Sequence, residues 1–135
     1  MPGLTHVLGR AIEDQRRNRG TALRLSRLGP RAADASALLA DPESVVLVAT
    51  SAGEVVAFAI LSGRGRVLEA VWVAPERRRQ GIATSLVEVA EELCASISNE
   101  CLSVVVAAGS RAEKSLYETR GYRGELIVMT KTDPG

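Results

Sequence analysis

The segment from Val67 to Ala108 constrains the fold more than any other. Val67-Leu68-Glu69-Ala70-Val71-Trp72-Val73 is an apolar run of strand length, interrupted only by Glu69. A helix is predicted from just after Pro75 to about Ile97. Its apolar stripe is Ile82, Leu86, Val89, Ala90, Leu93 and Ile97, with Glu88, Glu91 and Glu92 facing away. Leu102 to Ala108 is then a nearly unbroken apolar run, the pattern of a strand covered on both faces. Strand, helix, strand in that order is the central unit of a mixed α/β sheet.

The flanks fit such a sheet. Leu4, Val7, Leu8, Ala11 and Ile12 have helical spacing, and the basic run at 16–19 with Gly20 closes that helix. Ala22 to Leu28 reads as a short strand. Pro30 opens a helix to about Ala40, and Asp41-Pro42 stops it. Val45 to Thr50 and Glu54 to Leu61 are strands joined by a three-residue loop, Ser51-Ala52-Gly53. Gly63-Arg64-Gly65 turns the chain into the Val67 strand. Ser110-Arg111-Ala112-Glu113 is a capping box for a helix that Gly121 ends, and Glu125 to Lys131 is a last strand. Residues 1–20 read as an N-terminal helical extension and 21–135 as the domain proper.

Composition removes several classes of function. The chain has 135 residues, 46% apolar and 24% charged, which suits one soluble core. A net charge of +1 argues against bulk nucleic acid. Four aromatics, Phe58, Trp72, Tyr117 and Tyr122, are too few for a base-stacking platform. No apolar run approaches the roughly 20 residues of a membrane span, and the start lacks a secretory pattern. Cys94, Cys101 and the single His6 have no metal-ligand spacing, so no metal is expected. Both thiols read as reduced, which places the protein in the cytoplasm.

The chemistry is concentrated in the turn before the long helix. Arg77, Arg78 and Arg79 precede Gln80-Gly81-Ile82-Ala83. Backbone N–H groups at a helix N-terminus have no intrahelical partner and carry the positive end of the dipole, so an anion, and a pyrophosphate above all, fits there. Gly81 and the small Ala83 allow close approach. Arginines at a helix N-terminus oppose the dipole, so three together suggest a function. A nucleotide-binding P-loop or dinucleotide fingerprint is missing.

Arg78-Arg79-Gln80-Gly81-Ile82-Ala83 resembles the R-x-x-G-x-G/A cofactor motif of the GNAT superfamily of N-acetyltransferases, with Val73-x-Pro75 ahead of it. Leu116-Tyr117-Glu118-Thr119-Arg120-Gly121-Tyr122 is similar to that superfamily's L-Y-x-x-x-G-F/Y segment. The likeness runs from about Ala22 to Lys131. It implies a mixed α/β (α+β) sheet with a splayed parallel strand pair and helices on both faces. It also implies transfer of an acetyl group from acetyl-CoA to a primary amine of a small molecule or protein. By the same resemblance, the amides of Arg78, Arg79, Gln80, Gly81, Ile82 and Ala83 hold the coenzyme A pyrophosphate. The backbone of Val71 and Val73 pairs with the pantetheine arm and the acetyl carbonyl, and Tyr117 protonates the leaving thiolate.

Some positions depart from the pattern. Arg79 stands where glycine is common, Ser110 where asparagine is, and Glu113 where alanine is. The Leu102–Ala108 strand carries no carboxylate, which leaves Glu69 as the candidate base. Alternation puts it on the face of Val67, Val71 and Val73. Only about 15 residues separate the first and second strands, so the acceptor wall is short. A non-catalytic acyl-CoA-binding module is the alternative reading. The apolar edge of the N-terminal helix must be covered, and a homodimer contact through residues 1–20 is expected.

Overall fold

Two glycine-bearing turns fold three strands into an antiparallel meander: β1 (Val45–Ser51), β2 (Glu54–Ser62) and β3 (Val67–Val73). The computed structural model describes residues 2–15, 35–106, 111–125 and 129. A short fourth strand, β4 (Ser103–Val104), runs parallel to β3, and the sheet order is β1-β2-β3-β4. The described helices are α1 (Pro2–Gln15), α2 (Ala35–Ala40), α3 (Ile82–Ile97) and α4 (Arg111–Thr119). The expected strand at 22–28, the start of the helix from Pro30, the end of the run to Ala108 and the Ser110 cap lie outside the described residues, as does most of the strand from Glu125.

The β1–β2 connection is tighter than expected. Ser51 pairs with Glu54, so the loop is two residues rather than three. Ala52 and Gly53 both have positive φ, 52° and 81°, the combination whose twist matches a hairpin. In the β2–β3 turn, Gly65 (φ 104°) passes beneath Leu93 and Ile97 of α3, and a Cβ there would meet Leu93 Cδ2 at 3.2 Å. Glycine is required on both counts.

Alternation along β2 divides the core. Phe58 and Ile60 face α1, together with Ala70, Trp72 and Ala74 of β3 and its continuation. Ala57, Ala59 and Leu61 face α3. The buried line of α3 is Leu86, Val87, Ala90 and Cys94, rotated from the predicted stripe. Val89 and Ile97 are exposed, and Glu91 is drawn inward instead of facing away. A single-face reading misses this because the helix is covered by the sheet on one side and by α4 on the next. The helix also starts later than predicted, since Pro75–Arg77 forms a separate 3₁₀ turn.

The N-terminal helix is part of this core. Leu4, Val7, Leu8 and Ala11 are 0–1% exposed and cluster with Phe58, Ile60 and Trp72. Burying an aliphatic side chain is worth about 1.5–3 kcal/mol, and whole domains are stable by only about 5–15. Three such residues on one helix are therefore a large share. The edge that suggested a homodimer contact is already covered by the chain's own sheet, so that ground for a second subunit is removed. Leu8→Ala should lower stability by about 2–4 kcal/mol in a denaturant titration. An unchanged midpoint would show that α1 does not pack here.

Candidate active site

β2 and β3 slip register between Ile60 and Leu61. Ile60 pairs with Ala70 but Leu61 with Leu68, which leaves Glu69 as an extra residue on β3. This β-bulge changes what each residue of the strand does. Leu68 belongs to the α3-side cluster, whereas Ala70 and Trp72, which strict alternation would put beside it, belong to the α1 side. Backbone directions change as well. Before the bulge, the carbonyls of Arg66 and Leu68 accept from the amides of Ser103 and Val105 at 3.1 and 2.9 Å. After it, the Ala74 amide donates to Val56 O at 2.9 Å, toward β2. Val71 and Val73 then point their backbone groups to the other side, beyond the last β3–β4 pair, Leu68 with Val104. Among the described residues the β3–β4 pairing goes no further than that pair.

The predicted placement of Glu69 beside Val71 and Val73 is therefore corrected. Glu69 is 8% exposed, and its Oε1 accepts from Ser62 Oγ at 2.9 Å. Ser62 continues the β2 row of Phe58 and Ile60, so the carboxylate stands with the α1-side row. A buried carboxylate needs such a donor.

Beyond β3 the chain makes the 3₁₀ turn and then the arginine loop. Arg78 folds back, its Nε donating to Val73 O at 3.0 Å. Its guanidinium thus caps the end of β3, while its amide donates to Pro75 O at 3.4 Å. Arg79 has φ 65° and Gly81 φ 79°. Gly81 is the N-cap of α3 and supplies no side-chain cap. The Ser85 amide already donates to Gly81 O, so the amides of Ile82, Ala83 and Thr84 are those that a helix start leaves facing outward. Arg78, Arg79, Gln80 and Gly81 are exposed. A cleft of about 270 Å³ lies beside this loop, lined by Val48, Ala49, Gln80, Gly81, Ile82, Ser85, Leu86 and Val89. Val71 and Val73 are not among its lining residues.

Tyr117 is 2% exposed and sits in the α3-side cluster with Val73, Leu86, Val87 and Ala90, against which Val71, Ile82 and Ala83 also pack. The structure thus brings Tyr117 to the same layer as the predicted cofactor residues and keeps Glu69 out of it. α4 ends in a Schellman motif: the Tyr122 amide donates to Tyr117 O and the Gly121 amide to Glu118 O. Gly121 has φ 93°. That turn carries Tyr122 back onto Tyr117, ring edge to face at 5.6 Å. The Tyr122 hydroxyl donates to Glu91 Oε2 at 2.7 Å, and Arg120 pairs with Glu91 Oε1. Burial alone pushes Glu91 up, but its bonds from Arg120 and Tyr122 outweigh that and hold it low. Burial, and then the bond to Glu91, raise Tyr122 well above the usual phenol range.

The Acetyltransferase (GNAT) family model matches residues 10–122. The chain belongs to that family: it is an N-acetyltransferase that uses acetyl-CoA to acylate an amine. The match begins inside α1, earlier than the resemblance in the sequence suggested. No curated protein matches by sequence. Solved structures share the fold. The aminoglycoside antibiotic 6'-N-acetyltransferase AAC(6')-IG from Acinetobacter haemolyticus has a TM-score of 0.59 and 22% identity, over 85% of this chain and 83% of that one. A ribosomal-protein-alanine N-acetyltransferase from Brucella melitensis has a TM-score of 0.62 and 21% identity, over 78% and 80%. The aminoglycoside N-acetyltransferase AAC(6')-Iy in complex with CoA has a TM-score of 0.62 and 17% identity, over 86% and 96%.

The left-handed backbone at Arg79 accounts for the glycine common at that position in the family. An L-residue there is strained by about 1–2 kcal/mol, partly offset by the greater freedom of glycine in the unfolded chain. Arg79→Gly should therefore raise the melting temperature by a few degrees. A fall would mean that contacts of the Arg79 side chain outweigh the strain.

Proposed function

We propose that the gap between β3 and β4 is where the acetyl group is transferred, with Tyr117 and Glu69 serving it from opposite faces of the sheet. The observation that carries this reading is the bulge. It turns the backbone of Val71 and Val73 away from β2, and Tyr117 lies in the layer on the α3 side. The residues present suit coenzyme A. Outward amides at the start of α3 and three arginines favour its pyrophosphate, and a row of strand amides suits its pantetheine arm.

Acetyl-CoA supplies the activated acyl group. The chain's own residues do the rest. Amides of Arg79 to Ala83 hold the phosphates and fix the thioester's position, the Arg78 amide being taken by Pro75 O. Backbone N–H groups of Val71 and Val73 orient the carbonyl and stabilise the charge that develops on its oxygen as the amine attacks. Glu69, at the vertex of the gap, takes the proton from the acceptor ammonium, directly or through a water. A C–N bond forms, the C–S bond breaks, and Tyr117 gives its phenolic proton to the departing sulfur. Donating and accepting groups on opposite faces let acceptor and thiol approach and leave by different sides.

The acceptor we assign is a primary amine, on a small molecule or a protein. By their names, AAC(6')-IG acts on an aminoglycoside and the Brucella enzyme on a ribosomal-protein alanine, so both classes belong in the test. Cys94 and Cys101 are free thiols, which supports a reducing, cytoplasmic setting. Among the described residues no helix is long and apolar enough to cross a membrane.

The reading is tested by acetyl-CoA consumption against aminoglycosides, polyamines and peptides with free N-termini. Tyr117→Phe keeps the ring and removes the hydroxyl. With the best acceptor, kcat should fall on the order of 10²-fold while the affinity for coenzyme A holds. Turnover equal to wild type would return Tyr117 to a packing role.

A further inference from the structure

α1 reaches the loop ahead of the phosphate site through one residue. Arg10 lies 66 positions from Glu76 in sequence, yet its Nη1 donates to Glu76 Oε1 at 2.9 Å and its Nη2 to Oε2 at 2.8 Å. Two parallel bonds between planar groups fix orientation as well as distance. The Arg10 guanidinium carbon also stands 5.4 Å from the centre of the Trp72 ring. Trp72 in turn stacks on Phe58, with centroids 5.9 Å apart, so the arginine rests on a rigid support.

The side chains of the pair are 35% and 59% exposed. An exposed ion pair adds little to stability, so its position is the informative part. Glu76 is the middle residue of the Pro75–Arg77 turn and the sole carboxylate between Pro75 and Ala83. A bare carboxylate there would oppose an anion at Arg78–Ala83. The bond from Arg10 holds the Glu76 carboxyl down to about 2, so it stays ionised and paired.

We propose that Arg10 is a positioning residue of the acyl-donor site: by clamping Glu76 in a two-point ion pair over Trp72, it neutralises the one negative charge of the phosphate loop and fixes the turn from which that loop departs. The inference rests on reading Arg78–Ala83 as the pyrophosphate site. It gives α1, otherwise a core helix, a part in holding the donor.

The test is coenzyme A affinity by calorimetry, with melting temperatures recorded alongside, for the full chain and three variants. Arg10→Gln bares the carboxylate and should weaken binding about three- to tenfold at low ionic strength, and less at high salt. Arg10→Gln with Glu76→Gln removes both charges and should recover most of the loss. Arg10→Glu with Glu76→Arg rebuilds the pair in reverse and should also restore binding. Wild-type affinity in Arg10→Gln, whatever its melting temperature, would overturn the proposal, because a packing role alone predicts that result. A neutral double variant as weak as the single one would overturn it too. Failure of the wild-type protein itself to bind coenzyme A would instead bring down the reading of the loop, and this inference with it.

Discussion

Glu69 interrupts an apolar strand, and the strand accommodates it by a bulge rather than by holding a carboxylate in the regular pleat. From that single extra residue the geometry of the site follows. Up to Leu68, carbonyls on one edge of β3 are used by β4. Past Glu69 the parity is reversed, and the backbone groups turned to that edge are those of Val71 and Val73. A parallel ladder cannot continue through such a slip without β4 making the same slip. Among the described residues the pairing ends at Leu68 and Val104. Unused backbone polar groups inside a sheet are costly unless something satisfies them. For Val73 O it is Arg78 Nε, and on the function proposed above the amide-rich arm of the donor serves the others.

The loop that follows answers a second demand. The chain must leave β3, reverse and start α3 within a few residues, and it does so through two left-handed residues, Arg79 and Gly81. Strained backbone persists only where its surroundings over-determine it. Here the ties are the Ala74 amide on Val56, the Arg78 side chain on Val73 O and the Arg10–Glu76 pair. Each starts from a different element: the sheet, the loop itself and α1. The first two anchor the loop to β2 and β3, and the third adds the far helix.

Much of this was legible in the sequence, and the misses share a cause. The meander, the α3 and α4 helices and the arginine–glycine loop are written in local patterns: period two, period 3.6, a capping residue, a glycine at the end. The glycine–arginine loop and the Leu116–Tyr122 segment could be read without any contact map. The bulge could not be read in this way, because alternation counts residues along one strand while a bulge is a property of two. A carboxylate in the middle of an apolar run was its one visible sign. The inward turn of Glu91 was hidden for a similar reason. Its partners, Arg120 and Tyr122, lie 29 and 31 residues away, and only the Schellman turn at Gly121 brings them back. Arg10 gives no local sign of its partner either, since Glu76 lies 66 residues away.

Placing α1 outside the domain was a consequence of the same local view. A helix with one apolar edge can be read as an appendage until the face that receives it is known. That face is Phe58, Ile60 and Trp72, and Trp72 is also the surface on which Arg10 lies. One helix therefore buries its Leu4–Leu8 edge against the sheet and sets a charge on Glu76 from the next turn. Whatever shifts α1 on the sheet must also shift Arg10 relative to Glu76. Core packing and the electrostatics of the phosphate loop are in this way mechanically linked, through Trp72.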